Sequence, residues 1–312
     1  MRKTITTFVI IFILHSGISM ASGENKKSWI DLVREATVAL GTVKQAKVQD
    51  EKGEKTEKNI FAVVGTGVIL GIPDDQSKTP WIVTAKHVFH DPTKNWDPDT
   101  IQLRFAWFEE KGIDEYLGIK INLKKNGKRL WTPHPNNQVD LAAMPLIIPK
   151  QEAGRDSLPI IPLGNFATGA DLYEGAAVLI FGFPGAVGPS FWTKALVRSG
   201  IIAWVHPSAP EEQPLLIDAM VFPGNSGGPV FRIPTGIDRY GNFIVGGKPS
   251  FLGIVSQGRR QAVPLTAGGK EIELQGPAGP MKIVSEDWIG VGIVEPASKV
   301  LELLKFASEN KP

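Results

Sequence analysis

Short stretches rich in β-branched and aromatic residues, separated by turn formers, follow one another along most of this chain. Glycine and proline, which end strands and build turns, number 33 and 24 among 312 residues. The pattern predicts strands at 37–43, 61–70, 80–84, 100–108, 119–122, 141–148, 176–181, 195–205, 214–219, 229–233, 242–245 and 251–256. Because many short strands joined by turns form sandwiches or barrels, we expect an all-β protein.

A few segments depart from the strand pattern. Helical spacing of apolar residues predicts a short helix over 28–36, capped by Ser28, and a C-terminal helix over 296–308. The stretch 44–58, rich in Lys and Glu, is interpreted as a solvated hairpin tip. Residues 151–170 contain prolines and turn formers and are interpreted as a linker, which divides the chain into units at 22–150 and 171–312.

The first 21 residues have the composition of a secretory signal peptide. Arg2 and Lys3 precede an uncharged, largely apolar run over 4–14, and Ser19 and Ala21 are small residues at the positions that a signal peptidase recognises. A membrane anchor is the alternative, but the run is shorter than the roughly 20 residues that span a bilayer. We expect cleavage after Ala21, export to a bacterial periplasm or the medium, and no stable membrane insertion.

Charge and cysteine content exclude several classes of function. The formal charge is +2, and removal of residues 1–21 brings it near zero, so nothing favours a nucleic-acid partner. The chain has no cysteine, which excludes disulfides and thiolate metal sites. No cofactor and no metal is expected.

The strongest motif is G-N-S-G-G-P over 224–229, in which Ser226 stands among glycines. Glycines allow a sharp turn and close approach of a substrate, and such a turn can aim consecutive N–H groups at an oxyanion. A plain glycine-rich turn is the alternative. The motif also satisfies the G-x-S-x-G pattern of α/β-hydrolases, but in that fold the histidine follows the serine, and here all five histidines precede Ser226.

A candidate general base follows a predicted strand. His87 comes directly after the apolar, β-branched run 81–84, which can hold it at a strand end beside a cleft. A surface histidine is the simpler interpretation of a lone residue. His90 and Asp91 nearby leave a metal site open, although no third cluster of ligands is evident.

A candidate acid opens the next apolar strand. Asp140 precedes the run Leu141–Met144, where burial of a carboxylate is costly without a partner. A histidine that becomes charged during catalysis is such a partner, and a strand-capping Asp at the surface is the alternative.

In the order His87, Asp140, Ser226 these segments resemble the trypsin-like serine peptidases. The chain is most similar to the high-temperature-requirement (Deg) branch, which the segments 65–70, 199–202, 218–226 and 289–293 also resemble. The resemblance covers roughly 30–305. It implies a chymotrypsin-like double six-stranded antiparallel β-barrel, with the first barrel in 22–150 and the second in 171–312.

The resemblance also implies the roles of individual residues. Ser226 is the nucleophile, His87 the base and Asp140 the group that orients His87, while the N–H groups of Gly224 and Ser226 form the oxyanion hole. The segment Ser256, Gln257 and Gly258 is expected to pair with the backbone of a polypeptide substrate.

The uncharged Met220 is expected at the base of the main specificity pocket, with Val221 beside it. Because a basic side chain would be buried there without a partner, cleavage is expected after small or medium apolar residues. Two other functions stay open: a catalytically silent binding or chaperone module, and an esterase or other acyl transferase on the same scaffold.

Several features depart from the family pattern. Lys86 replaces the usual small or amide residue before the histidine, and the span 259–288 has the composition of an inserted loop. The chain is expected to lack the PDZ domain of many Deg proteases, and oligomerisation stays open. Asn225 stands where digestive members have an Asp that pairs with a newly cut amino terminus, so we expect no activating cleavage, with the amide satisfying neighbouring backbone groups instead.

Overall fold

The computed structural model describes residues 28–49, 55–72, 79–106, 118–153, 156–161, 164, 166–188, 194–267, 270–271, 273–276, 279–282 and 284–310. The predicted signal segment 1–21 lies outside these ranges. No helix within them is long and apolar enough to cross a membrane. The helices are α1 (Trp29–Ala36), α2 (Lys86–Phe89), α3 (Lys150–Ala153) and α4 (Ala297–Glu309).

Among its described residues, the first half of the chain contains nine strands. They are β1 (Thr37–Gln49), β2 (Lys55–Gly71), β3 (Pro80–Thr84), β4 (Thr100–Arg104), β5 (Ile119–Asn122), β6 (Lys124–Lys125), β7 (Lys128–Arg129), β8 (Thr132–Pro133) and β9 (Ala142–Pro145). Seven of them form one sheet in the order β5-β4-β1-β2-β3-β9-β8. This sheet curls into a half-barrel, while β6 and β7 pair separately.

The part of the second half that the structure describes contains twelve strands, six of which close into a barrel in the order β10-β11-β12-β21-β16-β13. The strands are β10 (Ala177–Gly182), β11 (Leu196–Trp204), β12 (Leu215–Asp218), β13 (Pro229–Arg232), β14 (Thr235–Ile237), β15 (Phe243–Val245), β16 (Ser250–Pro264), β17 (Thr266–Ala267), β18 (Lys270–Glu271), β19 (Glu273–Gly276), β20 (Gly279–Lys282) and β21 (Val284–Pro296). The all-β class, the barrel architecture and the short terminal helices are confirmed.

The segments predicted as a solvated hairpin tip and as an inserted loop both contain paired strands. Strands β1 and β2 pair as far as Gln49 opposite Lys55, within the predicted tip 44–58, and Lys47 lies opposite Glu57. Opposite charges facing each other across two strands stabilise such a pair, so a polar composition did not end the strands. The predicted loop 259–288 is also strand at its base, because β16 pairs with β21 from Arg260↔Trp288 to Pro264↔Val284.

A shared hydrophobic core joins the two halves behind the site. Trp81 from the first half packs in one cluster with Phe181 and Phe231 from the barrel, and Leu303 of α4 belongs to the same cluster. Ser28 caps α1 by accepting a hydrogen bond from the N–H of Asp31 at 3.2 Å. Helix α4 packs against β8 and β9 of the first half and against β16 and β21 of the barrel, so it also connects the two halves. The exact limits of the two units and of the linker stay a prediction.

Candidate active site

Helix α2 holds His87 against the loop that carries Asp140. The side-chain Nδ1 of His87 lies 2.7 Å from Oδ2 of Asp140, and the backbone N–H of His87 donates to Oδ1 at 3.0 Å. The backbone N–H of Lys86 donates to the carbonyl of Asp140 at 3.1 Å. The carboxylate therefore fixes both the ring and the backbone of His87, and it leaves Nε2 as the ring nitrogen available for chemistry.

The loop between β12 and β13 carries Ser226 and lies against the first half. The backbone N–H of Thr66 donates to the carbonyl of Ser226 at 2.7 Å. A Cβ added to Gly65 would lie 3.1 Å from the Ser226 carbonyl oxygen and 2.5 Å from the side chain of Val88, the residue after His87. These contacts bring the Ser226 backbone next to α2, so residues far apart in sequence meet at one place.

The hydroxyl of Ser226 is turned toward the barrel. It donates to the carbonyl of Ser256 at 3.2 Å. Among the described residues, no hydrogen bond joins Ser226 to His87. The structure therefore brings all three predicted residues to one region and pairs two of them directly, and their catalytic roles stay a prediction.

Two glycines of the Ser226 loop adopt left-handed backbone conformations that their surroundings require. Gly224 has φ +98°, and a Cβ there would overlap the carbonyl oxygen of Phe183. Gly227 has φ +88°, and a Cβ there would overlap the carbonyl oxygen of Thr66. Side chains rarely tolerate this region, so glycine is needed at both positions.

The two predicted oxyanion donors are free of backbone partners. In the described part of the chain, the N–H of Asn225 donates to Phe222 and that of Gly228 donates to Asn225, whereas no acceptor is found for the N–H groups of Gly224 and Ser226. Unpaired N–H groups flanking a serine hydroxyl are what stabilisation of an oxyanion requires.

Asn225 differs from its predicted role. The residue is 1% exposed, and neither its Oδ1 nor its Nδ2 has a hydrogen-bond partner among the described residues. Its side chain lies in the space beside Gly182, where an added Cβ would come within 3.0 Å of Oδ1. The expectation that this amide satisfies neighbouring backbone groups is therefore wrong for this conformation.

Sequence analysis missed Thr66, which links both halves at the site. The buried hydroxyl of Thr66 donates to the carbonyl of Gly224 at 2.6 Å and accepts from the N–H of Phe183 at 3.0 Å. Thr84, at the end of β3, donates to the carbonyl of Thr66 at 2.7 Å. A hydroxyl between two glycines in an apolar strand was the signal available in the sequence.

The predicted substrate segment has an open edge beside the nucleophile. In the barrel, β13 pairs with β16 only as far as Ile254, whereas Gln257 and Gly258 pair with β21 on the other side. Ser256 is buried and Gln257 is exposed. Within the part of the chain that the structure describes, no strand pairs with 256–258 on the side that faces Ser226.

The region of the predicted specificity residues contains both apolar and cationic groups, because Arg198 lies over the Phe222 ring and Arg260 over the Trp288 ring, 4.9 and 4.2 Å from the centroids. Met220 is 44% exposed, and its sulfur would lie 3.5 Å from a Cβ on Gly290. Val221 is buried, and its carbonyl oxygen and the ring of Trp288 approach Gly258. Phe222 packs edge-on against Trp288, with ring centroids 6.2 Å apart.

Local structure accounts for the residues considered for a metal site. Nδ1 of His90 lies 3.1 Å from Oδ1 of Asp97, and Asp91 accepts from Thr93 and pairs with Lys94 at 2.8 Å. These partners lower the pKa of Asp91 to about 2, although its burial acts in the opposite direction. The described residues contain no group of three side chains suited to a metal ion.

The comparison with family models agrees with this architecture. Residues 65–236, which run from β2 through the Ser226 loop to β14, match the model of the trypsin-like peptidase domain. No curated protein matches the chain significantly. The matched segment covers more than half of the chain, and it includes His87, Asp140 and Ser226. This chain therefore belongs to the family of trypsin-like peptidase domains.

Proposed function

We propose that this protein is a serine endopeptidase in which Ser226 attacks the peptide carbonyl and forms an acyl-enzyme. His87 accepts the Ser226 proton through Nε2 and later gives it to the leaving amine, while Asp140 stabilises the imidazolium that forms in between. Water then attacks the acyl-enzyme while His87 accepts its proton, and His87 returns this proton to Ser226 as the acid product leaves.

The observation that carries the proposal is the 2.7 Å contact between Nδ1 of His87 and Oδ2 of Asp140. It fixes the proton of the neutral ring on Nδ1 and leaves Nε2 able to accept. Ser226 reaches a productive geometry by rotation of its hydroxyl away from Ser256, and such hydrogen bonds commonly tighten only when substrate is bound.

The free N–H groups of Gly224 and Ser226 support an oxyanion hole in this mechanism. They flank the attacking hydroxyl, so the negative charge that develops on the substrate oxygen would meet two fixed donors. The open edge at 256–258 supports binding of an extended polypeptide by main-chain hydrogen bonds.

We infer a preference for small or medium apolar residues before the cut because Met220 and Val221 carry no charge. Val221 and Trp288 offer apolar contacts, and a buried ammonium or guanidinium would lack a partner there.

We further propose membership of the Deg branch, from the motifs over 65–70 and 218–226, and export directed by residues 1–21.

One observation favours a second candidate, a catalytically silent binding module. The Ser226 hydroxyl is hydrogen-bonded to the carbonyl of Ser256 and not to His87. In a protein without peptidase activity, this hydrogen bond could persist, because Ser226 would never need to transfer its proton to His87. An esterase on the same scaffold would show turnover of esters without turnover of peptides.

Replacement of the nucleophile tests the proposal. Ser226→Ala is expected to lower kcat for a peptide substrate on the order of 10⁶-fold, because loss of a triad serine removes the covalent route. Ser308→Ala on α4 is the matched control and is expected to retain wild-type kcat. Wild-type turnover within tenfold of the Ser226→Ala value would contradict the mechanism, and turnover restricted to esters would favour the acyl transferase.

A further inference from the structure

A buried carboxyl group from the second half of the chain contacts the loop of Asp140. Glu295 is the penultimate residue of β21, two residues before α4, and is 4% exposed. Its Oε1 accepts a hydrogen bond from the backbone N–H of Asp140 at 3.3 Å. Burial of an acidic side chain is costly unless its partners compensate, so this position requires an explanation beyond packing.

The electrostatic surroundings of Glu295 come from both halves. Burial raises the pKa of Glu295, and the negative charge of Asp140 raises it further. The hydrogen bond from the Asp140 N–H and the positive charges of Lys86 and Lys299 act in the opposite direction. Glu295 is therefore coupled to the loop of Asp140 by a hydrogen bond and by charge.

Lys86 restrains the same loop from the first half. Its Nζ donates to the carbonyl of Asn137 at 2.9 Å and to that of Val139 at 3.3 Å. This contact explains the departure from the family pattern before His87: the long side chain wraps the segment that leads into Asp140. Lys86 and Glu295 together restrain this segment at three backbone groups, which are the carbonyls of Asn137 and Val139 and the N–H of Asp140.

We propose that Glu295 is a positioning residue for the catalytic triad. It holds the backbone of Asp140 so that the carboxylate stays on His87, and it ties this acid to the barrel that carries Ser226. The inference rests on the proposed peptidase function, since it assigns a role within that site. Glu295 contacts neither His87 nor Ser226 by hydrogen bond in the described part, so it acts through Asp140.

Three substitutions separate this role from simple packing. Glu295→Gln keeps an oxygen that can accept from Asp140, and kcat is expected within about threefold of wild type. Glu295→Leu keeps a similar volume without an acceptor, and kcat is expected to fall about 10- to 100-fold with KM unchanged, as for small displacements of catalytic groups. Glu295→Asp keeps the charge but is one methylene shorter, and a similar fall is expected.

Glu309→Leu, an exposed position on α4, is the matched control and is expected to retain wild-type kcat and KM. Circular dichroism establishes which variants fold. If Glu295→Leu does not fold, Glu295→Asp provides the test. Equal kcat in wild type, Glu295→Gln and the folded variant without the contact would overturn the proposal, as would a fall in Glu295→Gln as large as that in Glu295→Asp.

A second readout does not depend on turnover. The proton between His87 and Asp140 is expected as a far-downfield NMR signal in wild type and in Glu295→Gln, and as a shifted or lost signal in Glu295→Asp or Glu295→Leu. A wild-type signal without peptidase activity would contradict the proposed function and leave the role of Glu295 standing. An unchanged signal in all variants would overturn the role of Glu295 alone.

Discussion

The two halves of the molecule hold their catalytic candidates in different ways. In the closed barrel, two backbone hydrogen bonds fix the Ser226 loop to β16: Gly227 donates to Val255 at 2.7 Å, and Val255 donates to Gly228 at 2.9 Å. In the open half-barrel, Asp140 sits in a loop whose restraints include the side chains of Lys86 and Glu295. The nucleophile loop thus pairs along a barrel strand, whereas the loop of the acid adds side-chain contacts from other segments to its backbone hydrogen bond with Lys86.

This difference predicts where each half is sensitive to substitution. The Ser226 loop depends on backbone shape, so added atoms should damage it most. The Asp140 loop depends on side-chain partners, so loss of a polar group should damage it most. Thr66 combines both kinds of restraint, since its backbone N–H and its side-chain hydroxyl both donate hydrogen bonds to the loop of Ser226.

The largest effect is expected from Gly227→Ala. The positive φ and the overlap of the new methyl with the Thr66 carbonyl should together lower the free energy of unfolding by ~3 kcal/mol and abolish activity. Gly164→Ala, where an added Cβ meets nothing within 4 Å, is the control. Chemical denaturation measures both; equal stability of the two variants would mean that backbone shape does not hold the nucleophile loop.

Thr66→Val should produce the next largest loss. The variant keeps the shape but leaves the N–H of Phe183 and the carbonyl of Gly224 without a partner, which costs about 1–3 kcal/mol. Activity should fall more than stability alone explains, because Gly224 is an oxyanion donor in this account. The exposed Thr235→Val serves as control, and a Thr66→Val enzyme with wild-type kcat would argue against the link between the halves.

The sequence predicted much of this arrangement, and the exceptions have physical causes. Apolar, β-branched runs such as 80–84 gave strands with correct limits, because burial dictates their composition. The Lys- and Glu-rich part of β1 and β2 was missed, since its pairing depends on cross-strand charge and not on burial. The contacts of Thr66 and Glu295 arise between segments more than a hundred residues apart, and no local pattern records such a distance.

A smaller effect, with a defined dependence on pH, is expected from Glu295→Gln. Because the pKa of Glu295 is raised in the folded state, ionisation penalises folding as pH rises from the unfolded pKa through the folded one. The glutamine cannot ionise, so its free energy of unfolding should exceed that of wild type at pH 8, and the gap should close toward pH 4. Urea denaturation across this range checks the sign, and a gap that widens on acidification would contradict it.

The smallest effect is expected in the hairpin of β14 and β15, whose residues belong to none of the buried hydrophobic clusters. Phe243 is 85% exposed there, so Phe243→Ser should change the free energy of unfolding by no more than about 0.5 kcal/mol and leave kcat unaltered. A large loss of activity in this variant would mean that the second half depends on more than its closed barrel.

Labelling by a fluorophosphonate probe tests the central claim most directly, because the probe reacts with a serine only when a base and an oxyanion hole activate it. The account predicts that the folded protein is labelled once, at Ser226, and that His87→Ala and Asp140→Asn lower the labelling rate by orders of magnitude. Peptide mapping by mass spectrometry identifies the labelled residue. A folded protein that stays unlabelled, or a label whose rate is unchanged by His87→Ala, would contradict the account.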